Sequence, residues 1–372
     1  MGYNCRRGEP TTMNVRRRKL QPLLLLMLLS LLAGCAGGAA PVEDPIEEDP
    51  VAETPETPGS EDVAEQPILP YTYPLTGLPA EELLTDRPVV VMVENSPAAR
   101  PQTGLHEADL VYEVLAEGDI TRFIAVYQSV KSEEIGPVRS IRPYFVQLGM
   151  EVDGILVHAG WSQEAMNLMV KHKLNHLDQV YGDHDYYWRD KSRKAPHNLY
   201  TSIELIRKGA EKKKFREAWT DPVVTFALPG AGGDAAVPKG DPADRVTIPY
   251  IGGYEVGYEY EAATKTYLRS MKGKPHTDKK TDARLSATNV LVVQAKHRIV
   301  DDVGRREVDV QGPGKGVLLQ AGLKRDIVWE LKNGVIRAYD KEGAITDIPL
   351  LPGKTWVQIV PDLSKVTFGA GT

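Results

Sequence analysis

The sequence predicts an α/β or α+β N-terminal domain with a mixed sheet, followed by a β-rich C-terminal domain. Three observations carry this reading. "RPVVVMVEN", residues 87–95, is a continuous apolar run of the kind found in strands buried on both faces. Between residues 71 and 220, β-rich runs alternate with helical ones. From residue 221 the helical texture ends, and short β runs separated by turn residues take over.

The elements follow in order. "ADLVYEVLAEG" and "ITRFIAVYQSV" are two β-rich runs separated by a Glu-Gly-Asp turn, which predicts an antiparallel hairpin. Ser140 is placed to cap a helix that runs through Pro143 to about residue 149, with the proline in its first turn. "GILVHAG" reads as a buried strand, and "SQEAMNLMVKHK" as a helix capped by Ser162. "TSIELIRKGAEKKKF" reads as a further helix, with Ser202 and Glu204 as its opening signature. Beyond it, "LPGAGGDAAVPKGDP" is a loop or inter-strand insertion. "RVTIPYI", "TYLRSM", "NVLVVQAKH", "REVDVQ", "GVLLQ", "VIRAYD" and "WVQIVP" are short strands, with turns at Lys332-Asn333-Gly334 and Lys341-Glu342-Gly343. The boundary between an α/β domain at 71–220 and a β-rich domain at 221–372 is drawn where the texture changes. No fixed-period repeat occurs.

The N-terminus sets the address. A basic segment at 16–19 precedes a largely apolar stretch at 20–32, which is too short to span a bilayer and fits the core of a signal peptide. It ends in Leu32-Ala33-Gly34-Cys35, which resembles a bacterial lipobox; residues 1–34 would then be a signal peptide and Cys35 the lipidated residue. Met13 stands just before the basic segment and is a second candidate start. In that case Cys35 is the sole cysteine of the mature chain, and a disulfide is ruled out. Residues 35–70 read as the lipidated cysteine and a disordered acidic tether, since residues 42–66 hold ten acidic side chains and no Lys or Arg. The expected location is the extracytoplasmic face of the bacterial membrane, anchored by lipid. The remaining body is balanced, with 40 acidic and 39 basic side chains, which argues against nucleic acid as a partner.

Candidate site residues concentrate between 139 and 198. Arg139 and Arg142 flank Ser140 where a helix is expected to begin, so free N–H groups and two guanidiniums could seat a carboxylate or phosphate. The alternative is that each arginine pairs internally, with Glu113 or Glu117 of the hairpin. His158 and Ser162 flank a strand-to-helix crevice of the kind in which open α/β sheets bind ligands. Ser162 does not complete a nucleophile elbow, because Glu164 stands where glycine is required. Five of the eight histidines lie between 158 and 197. His172 and His176 have the spacing of one helix face, but Lys173 replaces the glutamate of a zinc-protease motif. Asp183, His184 and Asp185 are adjacent and do not converge readily on one ion, so no metal is expected, nor any cofactor. "RKAPHNLY" supplies His197 and Asn198 near Arg189 and Arg193, and "GKPHTD" supplies His276 and Asp278 in what reads as an ordered turn.

"RPVVVMVENSPAARPQTGLHEADLVYE", "ITRFIAVYQS", "IGPVRSIRPYF", "LVHAGWS", "APHNLYTS", "YLRSMKGKPHTD" and "PGKTWVQIVP" together resemble the YerB-like lipoproteins. The resemblance covers nearly all of residues 70–370, with Glu94 standing where an Asp or similar polar residue is expected. It implies an envelope lipoprotein with an N-terminal and a C-terminal family domain, and transfers no catalytic residue. Read with the residues, it leads to an expected binding module for an anionic cell-wall component, such as a peptidoglycan stem peptide, or for an envelope protein. Arg139, Ser140, Arg142, His158, Ser162, Arg189, His197 and Asn198 are its candidate contacts, beside the aromatic loop Tyr186-Tyr187-Trp188. The alternatives are a cell-wall hydrolase using His158 or His197 as general base, and a structural scaffold.

Overall fold

The structure is a computed structural model that describes residues 69–220, 224–227, 238–344 and 347–370. The signal segment, the lipobox with Cys35, the acidic tether and most of "LPGAGGDAAVPKGDP" lie outside the described residues. No described helix is long and apolar enough to cross a membrane.

The N-terminal region holds strands β1 (Val89–Glu94), β2 (Leu110–Leu115) and β3 (Thr121–Tyr127), then α1 (Pro143–Glu151), β4 (Ile155–His158), α2 (Gln163–Lys171) and β5 (His176–Asp178). A short hairpin, β6 (Trp188–Arg189) and β7 (Leu199–Tyr200), leads to α3 (Ile203–Lys212). The β-rich remainder contributes β8 (Arg245–Tyr250), β9 (Tyr254–Glu261), β10 (Thr266–Met271), β11 (Asn289–Gln294), β12 (Gly314–Gln320), β13 (Leu323–Lys332), β14 (Val335–Tyr339) and β15 (Thr355–Val360).

A mixed sheet of 11 strands forms the frame, in the order β13-β12-β11-β15-β2-β3-β1-β4-β5 through its body, with β14 pairing β13. β15 joins the two regions: it lies parallel to β11 on one side and parallel to β2 on the other. The predicted hairpin is β2 and β3, paired antiparallel from Leu110 opposite Val126 to Leu115 opposite Thr121. β1 is buried at every position because both faces of this sheet are covered. Val89, Val91 and Val93 point into one core and Val90 and Met92 into the other, the alternation that a pleated strand imposes. The Val90 side is covered by α1 and α2; the Val89 side is covered by α3 and by a second sheet built on β8, β9 and β10.

Between the two sheets lies a charge. The Arg269 guanidinium of β10 is fully buried and sits 5.2–5.9 Å from the ring centres of Phe123, Tyr258 and Trp356. Its Nη2 donates to Glu113 Oε2 at 2.6 Å, and Glu113 is equally buried. Two desolvated charges of opposite sign are tolerable only as a pair with further hydrogen bonds around them; here both carboxylate oxygens and both Nη atoms are bonded, and Arg269 Nε alone has no partner among the described residues. Arg269 Nη1 donates to His276 Nδ1; His276 Nε2 donates to Gln102 Oε1 at 2.8 Å. Gln102 Nε2 donates to Asn95 Oδ1 at 2.8 Å, and Asn95 Nδ2 donates to Glu113 Oε1 at 3.0 Å, closing a ring. Three members come from the N-terminal region and two from the β-rich region.

Arg269→Met leaves Glu113 charged and unpaired, and is expected to cost about 3–5 kcal/mol of unfolding free energy. Adding Glu113→Gln should recover part of that loss. Urea unfolding of the single and double variants tests this, and strictly additive losses would contradict it.

Candidate functional site

The ring holds a second polar cluster at the end of β1. Gln102 Nε2 also donates to the main-chain oxygen of Glu94, at 2.8 Å. The extended residues 135–139 lie between β1 and the end of the β6–β7 hairpin. On one side, Glu94 N donates to Pro137 O and Arg139 N to Met92 O; on the other, Val138 N donates to Leu199 O. Gly136 permits this approach, since a Cβ there would meet Leu199 O at 2.7 Å. Arg139 and His197 are thereby delivered to one carboxylate although 58 positions separate them in the chain.

The Glu94 side chain is only 5% exposed. Its Oε2 lies 2.9 Å from His197 Nδ1 and 3.2 Å from Arg139 Nε, and its Oε1 accepts from Ser96 Oγ at 2.8 Å. Ser96 Oγ also approaches the same His197 Nδ1, at 3.4 Å. Serine and carboxylate therefore share one face of the imidazole, and no relay of serine, histidine and acid is set up. Among the described residues, His197 Nε2 and the Arg139 Nη atoms have no hydrogen-bond partner, and both side chains are about a quarter exposed.

The adjoining β6–β7 hairpin adds positive charge. Arg189 donates to Asn198 Oδ1 at 2.9 Å; Asn198 Nδ2 donates to the main-chain oxygens of Asp190 and Arg193, which fixes the loop. Arg193 donates to the main-chain oxygens of Ala99 and Pro101. These partners are neutral. Among the described residues, Arg189, Lys191, Arg193 and Lys194 have no carboxylate at ion-pair distance, while Asp190 is taken by Lys279. The cluster is thus a buried carboxylate beside cations whose charge is not fully cancelled.

The other candidates do not join it. Ser140 is not a helix cap: residues 139–141 are held extended by Ala159 N donating to Arg139 O and Ile141 N donating to Gly160 O, and Ser140 Oγ donates to Ala159 O at 2.8 Å. α1 consequently starts at Pro143, with Arg142 as its N-cap residue. Arg142 Nε pairs with Glu117, whose other oxygen takes Arg122 Nη2 at 3.0 Å. The two arginines of 139–142 therefore serve different acids, and a shared seat at one helix start is not built. Ser162 caps α2, accepting from Ala165 N at 3.3 Å. His158 is completely buried, with Nδ1 at 3.1 Å from Gly160 O and Nε2 at 3.2 Å from His176 Nδ1, on which it stacks. Burial, and then the neighbouring His176, pushes its pKa down to about 3, so it is a neutral core residue. α2 ends at Lys171, so His172 and His176 share no helix face. Asn95, Ser96, Gln102 and Arg269 are not among the sequence candidates, and Glu94, Glu113, Arg193 and His276 are named there without a role in this cluster. The one available signal was their placement in quoted stretches that the fold brings together.

The N-terminal domain of the protein of unknown function DUF3048 matches residues 75–216, and its C-terminal domain matches residues 246–357. The chain is 40% identical over 302 residues to "Putative lipoprotein YerB" of Bacillus subtilis (strain 168), covering 80% of this chain and 88% of that protein. The crystal structure of YerB protein from Bacillus subtilis is similar, with a TM-score of 0.72 and 38% identity, covering 80% of this chain and 99% of that one.

His158 and His276 are both held neutral, with pKa values depressed below the ordinary 6.5, foremost by burial. The unfolded chain protonates them below that value while the folded chain does not. Their contribution to stability is therefore complete above pH 6.5 and lost as pH falls below it, for His158 down to about 3, by up to about 1.4 kcal/mol per pH unit for each. Denaturant unfolding across that range should show the slope, and His158→Gln should flatten it; an unchanged slope would contradict the assignment.

Proposed function

This chain belongs to the YerB-like DUF3048 family, and from that premise we propose that it is a lipid-anchored envelope protein that binds an anionic cell-wall component. The anchor is Cys35, exposed by cleavage of the signal peptide 1–34 and followed by a stretch whose ten acidic side chains between 42 and 66 are not attracted to an anionic surface. The binding face is the Glu94 cluster with the β6–β7 hairpin. One observation carries the reading: Arg139 and His197 share a single carboxylate while their outer nitrogens are unbonded, and the hairpin beside them is uncompensated positive. Glu94 holds the two donors in position, and the surplus charge lies with Arg189, Lys191, Arg193 and Lys194. A guanidinium offering two free N–H groups is matched to a carboxylate, the group that ends a peptidoglycan stem peptide.

A second reading rests on the same histidine. With Nδ1 held by Glu94 and Nε2 open, His197 is arranged to take a proton from water, the task of a general base in a hydrolase. His158 has no part in it, being sealed in the core.

Cosedimentation of the chain beginning at residue 65 with purified sacculi tests both. The Arg139→Ala/Arg193→Ala variant, with an unchanged melting temperature, should bind at least about tenfold more weakly, as expected for loss of charge-assisted hydrogen bonds. Equal binding would reject this face. Release of soluble wall fragments by the wild type, abolished in His197→Gln, would favour the hydrolase.

A further inference from the structure

A second concavity lies on another part of the N-terminal region. A groove of about 1330 Å³ runs between residues 79–86 and 127–133 and is closed at one end by the start of α3. Its walls carry five carboxylates and two cations. Glu133 and Glu204 have partners in Lys280 and Lys208. Glu81, Glu82 and Asp86 are exposed and have no cation at ion-pair distance among the described residues. One of the two cations, Arg207, donates to the main-chain oxygen of Arg87 at 2.6 Å and attracts Asp86 only from beyond ion-pair distance.

Two buried polar side chains that line the groove are incomplete. Gln128, 7% exposed, donates through Nε2 to Asp86 O at 2.8 Å, which fixes its amide, while its Oε1 has no partner. Ser132, 2% exposed, is held by Ile203 N on its main-chain oxygen, while its Oγ has no partner. A buried acceptor left without a donor carries a desolvation cost of about 1–3 kcal/mol, so a ligand bearing N–H groups gains at this position beyond simple charge attraction. Apolar surface lies alongside, with Leu83 63% exposed and Leu84 and Tyr73 half-buried.

We propose that this groove docks an extended cationic peptide segment of a partner protein. The unpaired acids select positive charge, and Lys and Arg stems cover apolar walls while their heads reach carboxylates. The volume exceeds the roughly 300–1,000 Å³ of common small-ligand sites, which favours a chain segment over a small amine. The protein's own tether is unsuited, because residues 42–66 carry ten acidic side chains and no basic one.

Calorimetric titration of the full chain in detergent with a hexapeptide of alternating Lys and Leu tests the proposal, with spermine as the small-amine comparison. The hexapeptide should bind saturably and more tightly than spermine despite its lower charge. Glu81→Gln/Glu82→Gln/Asp86→Asn, substitutions confined to exposed positions, should weaken it about tenfold with the melting temperature unchanged. Gln128→Leu, which alters no charge, should weaken it as well. Absence of binding, or binding that survives the triple variant, would overturn the proposal. So would spermine matching the peptide, or Gln128→Leu having no effect, since either reduces the groove to a patch of acid.

Discussion

The fold depends on one buried ion pair. Arg269 and Glu113 come from chain positions 156 residues apart, and neither side chain reaches water. Desolvating two such charges is costly, and the cost is offset only when the partners meet in good geometry with further hydrogen bonds around them. Phe123, Tyr258 and Trp356 surround the guanidinium, and His276, Gln102 and Asn95 complete the ring. Any arrangement in which the β-rich region docks on the sheet in another register strands a charge in an apolar core. The pair thereby selects one docking of the two family segments, and β15, inserted parallel between β11 and β2, extends the same choice along the sheet.

The ring also sets the candidate site. Gln102 uses one nitrogen for the ring and for the main chain of Glu94, and Asn95, the next residue, receives Arg100 Nε as well as Gln102. Arg100 in turn lies over the Tyr254 ring of the second sheet. The end of β1 is consequently fixed from below before any surface group is considered. A carboxylate held this way can orient Arg139 and His197 without being drawn to solvent, which is what a preformed site for an incoming anion requires. Under the proposed reading, the exposed cations of the β6–β7 hairpin supply the attraction for an anion and the buried layer supplies the geometry.

Much of the fold was legible because its signals are local. The continuous apolar run of β1, the β2–β3 hairpin and the serine caps of α2 and α3 are each specified within a dozen residues. β9 has a plain period-two pattern in "YEVGYEYE", although it is not among the strands named from sequence, and β13 is masked because its first half carries the charged run Lys324 to Asp326, which is partly or fully exposed. The site was harder. Pairing of Arg142 with Glu117 was foreseeable from the hairpin turn, and it stood among the alternatives. Arg139 with Glu94 was not, since their meeting requires the strip 135–139 to lie between two elements far apart in sequence. His276 read as part of a turn because nothing local announces that Gln102 will reach it.

Native-state hydrogen exchange in a Gln102→Leu variant tests the central role of the ring most directly. Loss of that amide breaks the ring between His276 and Asn95 and frees the main chain of Glu94. The ring account predicts that the amides of Glu94, Arg269 and His276, each donating to a main-chain oxygen in the intact fold, lose protection together. The expected loss is about 1–3 kcal/mol each, the cost of leaving buried polar groups unmet. Lost protection confined to residues beside position 102, with Arg269 and His276 unchanged, would contradict it.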